Sequence, residues 1–194
     1  DMIDMPMMTR RAFAGSLPLA GLAAAAPAPA IRSIDVFPVR YPVNGYFKFF
    51  TKPERQTAFV KVICEDGTFG WGQSVPLPTW SYETLESVTT AFRGYLAPAL
   101  IGKNPTDLAG AHAAMNKAIA PSFSTGMPIA KAGIDLALHD ISGKLAGRSL
   151  PELWGRKPLA KVVLSWTVNT KSLAEAEAVL EDGRKRGYKH FNIK

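Results

Sequence analysis

The stretch 156–194 constrains this chain most. Residues 161–168 read KVVLSWTV, a β-branched strand. Ser172-Leu173-Ala174-Glu175 has the form of a capping box that opens a helix; the helix closes at Gly187, and His190-Phe191-Asn192-Ile193-Lys194 begins another strand. Strand, helix and strand with a connection of this length make a βαβ unit, which demands a parallel pair. Parallel strands are buried on both faces, and two of them cannot cover themselves. The unit is therefore expected to be the start of a larger parallel domain, for which a (β/α)8 barrel would need about 250 residues. With 194 residues in all, the chain is expected to stop before this second domain is built.

The grammar upstream is different. From Ile31 the pattern has period two: IRSIDVFPVRYPV, then QTAFVKVICE, then TFGWGQS, the last two separated by an Asp66-Gly67 turn signal. These segments predict a three-stranded antiparallel meander. Helices are expected over 82–96, 105–119 and 128–145, the third marked by Ile134, Leu138, Ile141 and Leu145 on one buried stripe. Strands followed by helices give an α+β domain over 31–155, with the barrel start at 156–194.

Residues 1–30 read as an address. Thr9-Arg10-Arg11-Ala12-Phe13 precedes a small, apolar, uncharged run over 14–26, the order of a twin-arginine export signal. That run is too short and too rich in alanine for a permanent membrane anchor, and Ala28-Pro29-Ala30 offers a cleavage site before Ile31. A periplasmic location is expected. The formal charge is +7, yet Lys and Arg are spread along the chain. Their densest group, Arg184, Lys185, Arg186 and Lys189, falls at a helix end, where the helix dipole and water favour cations, so nucleic acid is not an expected partner. One cysteine, Cys64, excludes an intramolecular disulfide framework and a cysteine-rich metal site.

Ala130-Lys131-Ala132-Gly133-Ile134-Asp135-Leu136-Ala137-Leu138-His139-Asp140-Ile141-Ser142-Gly143-Lys144, running on through Leu150-Pro151-Glu152-Leu153-Trp154-Gly155, resembles the passage that ends the capping domain in mandelate racemase and muconate lactonizing enzymes of the enolase superfamily. Gly70-Trp71-Gly72-Gln73 is similar to their G-x-G-E, with Gln for Glu, and Phe191-Asn192-Ile193-Lys194 to the strand carrying their Lys-x-Lys, with Asn for the first lysine. The resemblance implies an α+β capping domain followed by the first βαβ of an incomplete (β/α)8 barrel. It also implies a Mg2+ ion held by three carboxylates beyond Lys194, and a base that takes the proton α to a substrate carboxylate. That proton is weakly acidic, and its loss leaves a dianionic ene-diolate that water stabilises poorly. A divalent cation neutralises the developing charge, and a lysine kept from water near a cation can be neutral enough to act as base.

Strand alternation sorts the candidates. Phe191 and Ile193 are expected to pack against helices, leaving Asn192 and Lys194 to face the barrel interior near a catalytic strand end. The resemblance makes Lys194 the acid/base, against a surface lysine otherwise. Asn192 is expected to orient the substrate carboxylate, or to mark a different reaction. Ser165 and Thr167 share a face, and either touches substrate or bonds local backbone. Tyr46, Lys48, Phe49 and Lys52 lie in an aromatic, cationic loop between the first two strands, suited to an anionic ligand with an apolar part, or else packed on its own domain. Asp135 and His139, four apart, read as a structural pair, while His112 and His190 have no evident partner. Gly70-x-Gly72 lacks the third glycine of a dinucleotide fingerprint.

The chain is thus expected to be an inactive portion of a Mg2+-dependent racemase, epimerase, cycloisomerase or acid-sugar dehydratase that acts on a small carboxylic acid and is a homo-oligomer in full length. The alternative is a non-catalytic periplasmic binding or assembly module.

Overall fold

The computed structural model describes residues 28–43 and 54–194. Strands β1 (Ile31–Pro42), β2 (Glu54–Cys64) and β3 (Phe69–Ser74) form an antiparallel sheet in the order β1-β2-β3. The β2–β3 turn is the expected one: Gly67 adopts φ 88°, a left-handed conformation that suits glycine, and the Asp66 carboxylate accepts the Thr68 N–H at 2.9 Å. Alternation puts Ala58, Val60, Val62 and Cys64 of β2 on the core face, all fully buried.

That face is covered by helices. Short α1 (Pro78–Ser81) precedes α2 (Leu85–Ala91), a π-helical turn (Phe92–Leu96) and α3 (Ala97–Leu100). The helix expected over 82–96 therefore starts later, at the Thr84–Ser87 capping box, and runs on to Leu100. Pro98 lacks the N–H that a regular α-helix would use there, and the π turn precedes it. Helix α4 (Leu108–Ala118) is capped by Asp107, whose carboxylate accepts the Gly110 N–H at 2.9 Å, and so begins after the expected Pro105.

Helix α5 (Pro128–Ala146) is the central packing element. Ile134, Leu138 and Ile141 are fully buried as expected, each worth about 1.5–3 kcal/mol by apolar burial. Leu145 departs from the expected stripe and is 36% exposed. Glycines of β3 set how closely the helix lies on the sheet. A Cβ on Gly70 would stand 2.1 Å from the Ala137 carbonyl oxygen, and one on Gly72 only 1.8 Å from that of Gly133. Gly70, near the start of β3, lies beside Ala137 and Ile141, so the helix turn beyond them overhangs the sheet and Leu145 meets water.

Buried polar groups lock the helices in place. The Glu83 carboxylate, 1% exposed, accepts the N–H groups of Ile129 at 2.7 Å and Ala130 at 3.0 Å, satisfying donors that the start of α5 leaves open. Lys131 donates to Asn116 Oδ1 at 2.8 Å and to the Ile119 carbonyl at 2.6 Å, closing the end of α4. Burial pushes the Lys131 ammonium below the ordinary lysine value, with the Glu83 carboxylate acting in the opposite sense.

After α6 (Leu150–Leu153), which opens on a Ser149–Glu152 capping box, come β4 (Ser165–Val168), α7 (Leu173–Lys185) and β5 (His190–Ile193). Strands β4 and β5 pair in parallel, so the βαβ unit forms. The first strand is shorter than the expected 161–168, because its pairing begins at Ser165 opposite His190 and leaves Val162, Val163 and Leu164 exposed. Among the described residues no helix is long and apolar enough to cross a membrane.

Candidate functional site

Helix α7 divides the two faces of the parallel pair. Gly183 lies where a Cβ would stand 2.6 Å from the Trp166 ring and 2.9 Å from that of Phe191, so both aromatics seat on the helix. Trp166 Nε1–H also donates to the Val179 carbonyl at 3.0 Å. Phe191 thus packs as expected. Ile193 does not: it is 72% exposed, since α7 alone fails to reach it.

The opposite face carries the candidates. Parallel register sets Thr167 directly beside Asn192 and Ser165 beside His190, and side chains so paired point the same way. The Lys194 N–H donates to the Val168 carbonyl at 3.0 Å, which extends the ladder past β5 and keeps Lys194 in phase with Asn192. A hydroxyl, a carboxamide and an ammonium therefore gather toward the carboxyl-terminal end of two adjacent parallel strands. All are exposed. Ser165 stands one repeat lower, at the start of β4, with His190 as its neighbour. Tyr46, Lys48, Phe49 and Lys52 fall outside the described residues.

Two histidines outside this face have a structural partner. Asp135 and His139 meet, His139 Nδ1 lying 2.9 Å from the Asp135 backbone oxygen and 3.4 Å from its carboxylate. His112, which had no evident partner in the sequence, comes from α4 to within 2.6 Å of the same carboxylate. The separation of 23 positions from His112 to Asp135 hides the contact from any periodicity. His139 also meets Trp154 edge to face, with ring centroids 5.9 Å apart. Cys64 is fully buried, and burial, helped by the Asp66 charge, pushes its thiol upward and away from thiolate chemistry. Among the described residues no group of three His, Cys, Asp or Glu side chains is placed to hold a metal ion.

The passage 130–144 gains a physical reading. Gly133 admits Ser74 and Phe92 where a side chain would not fit, while Asp140 and Lys144 bond the backbone of β3. Residues 31–155 match the family described as mandelate racemase / muconate lactonizing enzyme, N-terminal domain. The chain belongs to this family. Among curated members, a chloromuconate cycloisomerase of Cupriavidus necator is 32% identical over 164 residues, covering 83% of this chain and 42% of its own length. The N-succinyl Arg/Lys racemase of Bacillus cereus has a similar structure, with TM-score 0.78 and 26% identity over 85% of this chain and 44% of that one. So does a muconate lactonizing enzyme of Pseudomonas fluorescens complexed with muconolactone, with TM-score 0.77 and 26% identity over 86% and 45% of the two chains. The three-stranded sheet with its helices is the N-terminal domain of the mandelate racemase and muconate lactonizing family. The chain spans less than half the length of these relatives.

Proposed function

We propose that the chain supplies the capping domain and first barrel strands of an enzyme that removes the proton α to a carboxylate of a small organic acid, as a racemase, epimerase, cycloisomerase or dehydratase. The observation that carries this reading is the convergence of Thr167, Asn192 and Lys194 on one face of a parallel pair, toward its carboxyl-terminal end, in a chain of this family. A cycloisomerase and a racemase among its relatives support the reaction class.

In this reading the Lys194 amine accepts the α-proton as the C–H bond breaks, and the electron pair passes into the ene-diolate. Asn192 donates from its carboxamide to a carboxylate oxygen and Thr167 from its hydroxyl, holding the C–H bond toward Lys194 without adding charge. Among the described residues no group fits a metal; the family resemblance implies a Mg2+ ion with its ligands beyond Lys194, and no step is assigned to it. Export through the twin-arginine route is proposed on Arg10 and Arg11.

The test is exchange of the substrate α-proton with solvent deuterium in the full-length protein. Lys194→Ala is expected to abolish exchange while leaving the circular dichroism spectrum unchanged. Lys194→Arg fails as well, because a guanidinium stays protonated at working pH. Exchange by the alanine variant at close to the parent rate would assign the base to another side chain.

A further inference from the structure

Thr167 and Asn192 carry more hydrogen-bonding capacity than the contacts proposed for them use. A carboxamide has two N–H donors and a carbonyl acceptor, and a hydroxyl has one donor and two acceptor lone pairs. Holding a carboxylate draws on the donors alone, because an ionised carboxylate only accepts. Asn192 Oδ1 and the lone pairs of Thr167 Oγ1 are left over. Among the described residues neither side chain takes part in a hydrogen bond or an ion pair, and both are exposed, on the strand face opposite Trp166 and Phe191.

The two acceptors stand together. Thr167 and Asn192 are direct partners in the parallel ladder, so one strand spacing of about 4.8 Å separates them. Ladder N–H groups lie in the plane of the sheet and not above it, so the strands themselves cannot satisfy these oxygens. Lys194, next on the same face, is turned to the α-carbon in the proposed reaction. Bound substrate replaces water on this face, and an acceptor then left without a donor costs roughly 5- to 150-fold in affinity. The missing donor therefore belongs on the substrate. Its carboxylate has none and its α-hydrogen is the one removed, so the remaining substituent at the α-carbon is the group placed to bring it.

On the catalytic reading given above, we propose that Thr167 and Asn192 form a specificity pair that selects acids whose α-carbon carries a hydrogen-bond donor, a hydroxyl or an acylamino N–H, over acids without one. The carboxamide creates the preference, because a lysine at position 192 would bring donors only.

The test is exchange of the α-proton with solvent deuterium by the full-length protein, on two pairs of acids: lactate with 2-methoxypropanoate, and N-acetylalanine with N-acetyl-N-methylalanine. Within each pair a methyl group replaces the donor hydrogen, and the pair that responds tells a hydroxyl site from an acylamino site. The donor-bearing member of one pair is expected to exchange at least about tenfold faster, as kcat/KM. Asn192→Lys keeps a donor for the carboxylate and loses the acceptor, so its exchange of the two members is expected to agree within about twofold. A preference that survives Asn192→Lys unchanged would reflect the bulk of the methyl group and overturn the proposal. Should Asn192→Lys exchange neither member, Thr167→Val decides: it is expected to cut the preference at least about threefold, and an unchanged preference overturns the proposal. Exchange that depends on Lys194 but does not distinguish the members of either pair overturns the specificity pair and leaves the catalytic reading standing. Exchange of none of the four acids, or undiminished exchange by Lys194→Ala, removes that reading and the specificity pair with it.

Discussion

Asp140 and Lys144, one turn apart on α5, close the free edge of β3 together. Asp140 Oδ2 accepts the Trp71 N–H at 3.0 Å and the Lys144 ammonium at 2.8 Å, and Lys144 donates in turn to the Phe69 carbonyl at 2.9 Å. An open strand edge presents unpaired donors and acceptors, and here two helix side chains occupy them.

Replacing Asp140 with Ala removes the acceptor of a backbone N–H and the partner of a cation. The site is partly exposed, so the expected loss is about 1–2 kcal/mol, with a smaller loss for Lys144→Met. Urea denaturation of the chain measures both, and equal stability of Asp140→Ala and parent would remove the edge-closing role.

Gly72→Ala places a methyl group 1.8 Å from the Gly133 carbonyl oxygen, which only separation of α5 from β3 relieves. A loss of about 3 kcal/mol is expected. Gly94→Ala, with nothing within 4 Å of the added carbon, is the control and is expected to be neutral or slightly stabilising. Thermal unfolding compares the two.

The acid limb of the stability curve has named contributors. Glu152 is held below the ordinary carboxylate value, first by the Ser149 hydroxyl and then by the Ser149 N–H; Glu86 is lowered by its own backbone N–H and by the Thr84 hydroxyl. A depressed folded pKa means that the unfolded state binds more protons in the interval between the two values. This stabilisation is therefore present above the ordinary value of 4.5 and is lost as pH falls through the folded one. Glu152→Gln and Glu86→Gln are expected to flatten that limb, read from denaturant midpoints between about pH 5 and pH 2.

Export of a reporter fused to residues 8–40 is expected to follow the twin-arginine route, with the Arg10→Lys, Arg11→Lys double variant trapped inside the cell. Fractionation of the periplasm measures it. Unchanged export of the double variant would remove the localisation proposal.

Local chemistry made much of this protein legible. The period-two runs of β1, β2 and β3, the Asp66-Gly67 turn, the stripe through Ile134, Leu138 and Ile141, and the Ser172 cap of α7 all rest on neighbours within a few residues. Alternation likewise put Asn192 and Lys194 on one face before any fold was known. What depends on which elements meet was not legible. Asp140 finds the Trp71 N–H from 69 residues away, and His112 finds Asp135 from 23. Helix α5 reads as amphipathic through Leu145, but its last turn overhangs β3, and that side chain is left in water. Similarly, 161–164 has the composition of a strand but meets no partner ladder, and Ile193 has a core residue's side chain with only α7 to cover its strand. A sequence sets which face and which period each segment has. Where that face ends, and what lies against it, is decided by close packing of the assembled elements, down to the two β3 glycines that let the backbone of α5 touch the sheet.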